Sequence, residues 1–113
     1  SPIGLGQILL EEGQHIEAEV YLTHALEINL NEIKNGSSDD DPPFYIAGIY
    51  AIRGQREEAL HWLKKAIEAK WIDYAQVEHG PWFVKYRSDP DVVTKLTALR
   101  KKTEQMRRKA EEM

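Results

Sequence analysis

The side chains best suited to acid–base or metal chemistry in this sequence are its four histidines, His15, His24, His61 and His79. A zinc site on a helix typically needs two histidines one turn apart, as in a His-Glu-x-x-His segment, because that spacing brings both imidazoles to one metal. No two of these histidines have that spacing. The sequence also has no Cys, which excludes thiolate nucleophiles and Cys-ligated zinc or iron–sulfur sites. We therefore predict a non-catalytic protein with no metal site and no cofactor.

The acidic run Asp39, Asp40 and Asp41 is a second candidate for cation chemistry. A calcium loop needs oxygen ligands at alternating positions, a central Gly and a closing Glu, and this run offers none of these. Negative charge before a helix instead stabilises the positive end of its dipole. We expect the run to do this for the following helix, at the end of a loop insertion of residues 31–42 rich in Gly, Ser and Asp.

The charges of the chain are unevenly distributed. Its 113 residues carry 15 Lys and Arg against 19 Asp and Glu, and a chain of this length forms one domain. Residues 95–113 carry seven basic and three acidic side chains, a net charge of +4, which leaves −8 on the rest. Such asymmetry favours head-to-tail contact or an acidic partner, although a solvated helix rich in Lys and Arg gives the same pattern.

The composition argues against membrane insertion and nucleic-acid binding. No apolar run approaches the ~18 residues of a membrane-spanning helix, and the start lacks the basic-then-apolar pattern of a signal peptide. The basic residues of the C-terminal segment alternate with Glu, which is unlike a phosphate-binding stripe. We expect no membrane or nucleic-acid partner and, by default, a cytoplasmic location.

Two segments share one spacing of small and apolar residues. Apolar positions three and four residues apart predict a helix pair in each segment. A Gly ends each first helix in the left-handed conformation, and Ala residues allow the paired helices to approach closely. The shared positions are Leu5, Gly6, Leu9, Gly13, Ala18, Leu22 and Ala25, which recur 41 residues later as Ile46, Ala47, Tyr50, Gly54, Ala59, Leu63 and Ala66.

These positions resemble the tetratricopeptide repeat (TPR), a helix–turn–helix unit of about 34 residues. The aromatic residues between Trp71 and Tyr86, with the helix start Ser88-Asp89-Pro90-Asp91 that follows them, also resemble the ending of many bacterial TPR modules. The resemblance implies an all-α fold of antiparallel helix hairpins, stacked as a superhelix and closed by a C-terminal capping helix. On this basis the chain divides into repeat 1 (1–30), the acidic loop insertion (31–42), repeat 2 (43–70), an aromatic capping segment (71–88) and a charged C-terminal helix (89–113).

The resemblance also implies that the first helix of each unit lines a concave face, where a peptide or partner helix docks. Gly48 and Ala51 would leave room for a ligand backbone, and Phe44 and Ile52 would supply apolar contacts or else pack against a neighbouring repeat. The resemblance thus implies a protein–protein interaction scaffold. The positions of this face are Gln7, Leu10, Glu11, Phe44, Gly48, Ala51 and Ile52.

Large apolar side chains are concentrated in the aromatic capping segment. The end of a repeat stack must be covered, and we expect this cluster to cover it. A ligand cage or a base-stacking surface is the alternative, but base stacking normally comes with interleaved Arg and Lys. The cluster comprises Trp71, Tyr74, Val77, Trp82, Phe83 and Tyr86.

The C-terminal helix carries apolar residues at alternating spacings of four and three, which is a heptad seam. We expect residues 92–99 to cap the repeats and the remainder to project into solvent. The alternative is a homo-oligomer in which Leu96, Leu99 and Met106 pair between chains.

Only two repeats are visible, whereas at least about three usually share a continuous core. We therefore expect the chain to be the C-terminal part of a longer protein, with Ile3, Ile8 and Leu9 exposed and covered by self-association. A regulatory domain of a larger enzyme or transcription regulator is a further alternative.

Overall fold

The structure is a computed structural model and describes residues 1–39, 41–71 and 73–113. Most of these residues are helical. No strand occurs among these residues, which confirms the predicted all-α class. The elements are α1 (Pro2–Glu11), α2 (His15–Lys34), α3 (Pro42–Ile52), α4 (Arg56–Glu68), α5 (Ala75–His79), a 3-10 turn (Val84–Tyr86) and α6 (Pro90–Glu112).

The first four helices form two hairpins with the same connection. Gly13 and Gly54 have φ of +83° and +78°, a conformation that favours glycine because it has no Cβ. In each turn the residue after the glycine donates its N–H to a carbonyl five residues back, Gln14 to Leu9 and Gln55 to Tyr50, both at 2.9 Å. The glycines therefore end α1 and α3 as the sequence predicts.

The hairpins stack because α2 contacts both α1 and α3. One apolar cluster fills the space between the hairpins and includes Ile3, Leu22 and Ile49. A larger cluster joins α3 and α4 to the aromatic segment and α6, and it includes Trp71 and Leu99. The two clusters give the molecule its core and fix α3 at its centre.

The helix α2 continues beyond the predicted start of the acidic loop. Asn31, Glu32 and Ile33 are helical, and the helix ends only at Lys34, followed by Gly36 at φ +75°. Glu, Ile and Lys are compatible with a helix, so residues 31–34 of the predicted loop were assigned wrongly. Asp40, part of the predicted dipole complement, lies outside the described residues.

The exposed apolar face predicted at the N-terminus is exposed only in part. Ile8 is half exposed, whereas Ile3 and Leu9 are buried. Ile3 is buried because it belongs to the cluster between the hairpins, with Leu22 and Ala25.

The first half of α6 packs on α4, and its second half is exposed. Leu96 and Leu99 are buried in the larger cluster, so these two residues of the predicted oligomer seam pack within the chain and are not free to pair with another chain. Met106 is 55% exposed. Within the described part of the chain, no helix is both long and apolar enough to cross a bilayer.

Candidate partner-binding groove

The indole of Trp82 lies on the face of α3 that the sequence predicts to be open. A Cβ atom on Gly48 would be 2.5 Å from Trp82 Cε3, so the absence of a side chain at Gly48 lets the ring lie directly on the helix backbone. The ring of Phe44 lies beneath, with its centroid 5.6 Å from that of Trp82 and 4.4 Å from that of Trp71. This part of the face is therefore occupied by the chain itself.

Four of the residues predicted to face a partner are buried. These residues are Phe44, Gly48, Ala51 and Ile52. The expectation of an open surface is wrong at all four. Trp82 covers Phe44 and Gly48, which removes its large apolar area from water, and Ala51 and Ile52 are packed in the two apolar clusters. From the sequence, we expected Trp82 only to cover the end of the repeat stack.

A long-range hydrogen bond places the same segment across α1. Gln7 donates from its side-chain Nε2 to the carbonyl oxygen of Pro81 at 2.9 Å. The guanidinium of Arg87 donates to the carbonyl of Gly80, which holds the turn that precedes Trp82. The segment thus contacts both first helices of the two hairpins.

Five of the seven positions of the predicted face, including the buried Ala51 and Ile52, line one cavity of about 420 Å³, which we call the concave groove. Gln7, Leu10 and Glu11 come from α1, and Ala51 and Ile52 from α3. Five residues that were not assigned to the face from the sequence complete its wall, namely His15, Arg53, Trp82, Val84 and Lys85. The Gly80-Pro81 break was the available signal, since it allows the chain to turn back over the helices.

The concave groove combines apolar and charged groups. Val84 is 56% exposed, and the exposed side chains of Glu11, His15 and Lys85 surround the groove. Arg53 also lines it and is held in place by an ion pair with Glu19 at 2.8 Å.

In the part of the chain that the structure describes, no group of three His, Asp or Glu side chains is placed to hold a metal ion. The histidine of the groove, His15, is exposed.

Residues 3–32 match the sequence profile of the tetratricopeptide repeat. Comparisons with curated proteins and with solved structures found no match. The matched residues span α1 and most of α2. Repeats of this kind generally mediate protein–protein interactions and are typically non-catalytic scaffolds.

Proposed function

Because residues 3–32 form a tetratricopeptide repeat, we propose that this chain is a non-catalytic scaffold that binds an amphipathic peptide or helix of a protein partner in the concave groove. The observation that carries the proposal is the cavity itself. Five residues assigned to the binding face by sequence position meet around one opening of about 420 Å³.

The composition of the concave groove supports a peptide as its occupant. Leu10 is partly exposed at the groove, and Val84 is about half exposed at its wall. An exposed apolar group within a polar rim is typical of an interaction surface. Glu11 and Lys85 place opposite charges around that surface, which can orient a bound segment.

The test begins with selection of peptides against the full chain from a phage-displayed random library. The affinity of a synthetic selected peptide is then measured by calorimetry for wild type, for Val84→Asp and for the control Val93→Asp. Both valines are about half exposed, but Val93 lies on α6, outside the groove. We expect Val84→Asp to weaken binding by about tenfold or more, since an apolar contact is lost and a charge is placed against the peptide, and Val93→Asp to have no effect.

The proposal is wrong if the selected peptides bind Val84→Asp as well as wild type, or if the two variants weaken binding equally. Circular dichroism of both variants checks that the helices are intact, so that a loss of binding is not a loss of fold.

Pairing of α6 between chains is the alternative function, and it is less well supported. Leu96 and Leu99 are already covered by the larger cluster, so only the weakly apolar end around Met106 is free to pair. A seam of this kind normally needs apolar residues over several heptads.

A further inference from the structure

A second cavity, of about 490 Å³, shares only Trp82 with the concave groove. It lies where the end of α2, the start of α3 and the start of α1 come together. We call it the acidic pocket and define it by six of its lining residues, which are Ile3, Ile28, Glu32, Asp39, Tyr45 and Trp82.

The walls of the acidic pocket are apolar and aromatic. Ile3 and Ile28 supply aliphatic surface, and Ile28 is 43% exposed. The rings of Tyr45 and Trp82 meet edge to face, with centroids 5.8 Å apart and an interplanar angle of 76°. Two rings at such an angle can present a face to a cation, which the ring quadrupole attracts.

Two carboxylates, those of Glu32 and Asp39, line the pocket together with one positive group, the terminal amino group of Ser1, so the negative charges there outnumber the positive one. Within the described residues, neither carboxylate forms an ion pair with a Lys, an Arg or that amino group. Elsewhere arginines do pair with acids, for example Arg53 with Glu19 and Arg100 with Glu78. The acidic pocket is therefore a place where added positive charge would be stabilised.

The nearby carboxylates also affect the pKa of the Tyr45 phenol. Its pKa is raised above the ordinary value by burial first and then by the negative charges of Asp41, Asp39 and Glu32, because negative neighbours disfavour the phenolate. The Asp39 carboxylate also accepts the backbone N–H of Asp41 at 2.9 Å, which holds it beside the pocket.

We propose that the acidic pocket binds a lysine or arginine side chain of the partner peptide. The aliphatic stem of that side chain lies against Ile3 and Ile28, and its cationic head lies between the two rings and the carboxylates of Glu32 and Asp39. This inference rests on the proposed function, to which it adds a required charge at one position of the partner.

The experiment uses three blocked pentapeptides, Gly-Leu-X-Leu-Gly, in which X is arginine, its neutral isostere citrulline, or glutamate. Each is titrated into the isotopically labelled full chain, and the indole N–H signal of Trp82, assigned with Trp82→Phe, is followed by NMR. We expect a saturable shift with the arginine peptide that weakens at higher salt, and binding of the citrulline peptide weaker by about fivefold or more.

Pocket variants and a matched control locate the effect. Glu32→Gln and Asp39→Asn should each raise the Kd of the arginine peptide by about fivefold, the size of one partly exposed ion pair. Glu27→Gln removes the same charge from an exposed residue of α2 that does not line the pocket, and it should leave the Kd unchanged.

Equal binding of the arginine and citrulline peptides would overturn the inference, as would a Glu27→Gln effect as large as that of Glu32→Gln. The absence of any saturable shift at millimolar peptide would do the same. The Trp82 signal could instead shift with protein concentration in the absence of peptide, with this shift lost in Glu32→Gln. That result would overturn the inference in favour of the basic tail of a second copy as the occupant of the pocket.

The inference and the proposed function can fail separately. Val84→Asp could leave the binding of the selected peptides unchanged while Glu32→Gln weakens binding of the arginine peptide. In that case the proposed role of the groove is wrong and the inference about the pocket is supported. The reverse result would leave the groove and remove the pocket.

Discussion

A methyl group added at Gly48 should displace the indole of Trp82 and thereby test the closure of the concave face. The new Cβ would be 2.5 Å from Cε3 and 3.1 Å from Cδ2 of the ring, distances that force the ring to move. Overpacking of a filled site costs about 1–3 kcal/mol, whereas replacing Gly by Ala inside a helix gains about 0.5–1 kcal/mol. We expect Gly48→Ala to lower the free energy of unfolding by a net amount of about 1 kcal/mol.

Gly4 provides the matched control, because it also lies in a first helix of a hairpin and a Cβ there would meet no atom within 4 Å. Gly4→Ala should therefore raise the free energy of unfolding by about 0.5 kcal/mol, through helix propensity alone. Urea unfolding, followed by circular dichroism, gives both values. Because the propensity gain is similar in the two variants, their difference isolates the contact with Trp82.

The background variant Trp82→Ala makes the assignment specific. Without the ring, the added methyl group of Gly48→Ala has space, and the substitution should become about as stabilising as Gly4→Ala. A Gly48→Ala variant that is already as stable as Gly4→Ala in the wild-type background, with unchanged tryptophan fluorescence, would show that Trp82 does not lie on α3.

Two further predictions follow from the ionisable groups. Asp89 accepts hydrogen bonds from Arg56 at 2.6 and 3.0 Å and caps α6, and this pairing lowers its pKa. The stability it adds is present above the ordinary aspartate pKa and is lost as the pH falls through the lowered value. In Asp89→Asn, urea midpoints measured down the acid range should lose this part of the pH dependence, and an unchanged acid dependence would contradict the pairing. The pKa of Tyr45 is raised in part by Glu32, so it should fall in Glu32→Gln and not in Glu27→Gln. NMR titration of the Tyr45 ring signals measures this pKa. Equal pKa values in the two variants would argue against a negative field at the pocket.

The hairpins could be predicted from the sequence because their determinants are local. A helix is specified by residues three and four apart, and its end by a glycine free to adopt positive φ. Gly13 and Gly54 therefore mark the turns correctly. The same reasoning placed the end of α2 four residues too early, because Asn31 adjoins a run of turn-forming residues although the helix continues through Glu32 and Ile33.

Apolar spacing predicts that a face is buried, but not by what. Leu5 and Ile46 occupy the same position of the shared spacing, yet Leu5 is 41% exposed and Ile46 is fully buried. The two helices differ in their neighbours, since α3 contacts both α2 and α4, whereas α1 is in extensive contact with α2 alone among the described helices. The heptad spacing of α6 was ambiguous in the same way. Leu99 needs the same spacing whether it packs within its own chain or against a second chain.

The sequence by itself determined the paired helices, their turns and the set of positions from which a binding face would be built. Only the tertiary structure decided how much of that face is open. Trp82 reaches Gly48 across 34 residues of chain, and Gln7 reaches Pro81 across 74. Such contacts depend on the direction in which the chain returns after Gly80, which no local spacing specifies, and both the concave groove and the acidic pocket depend on them because Trp82 lines each.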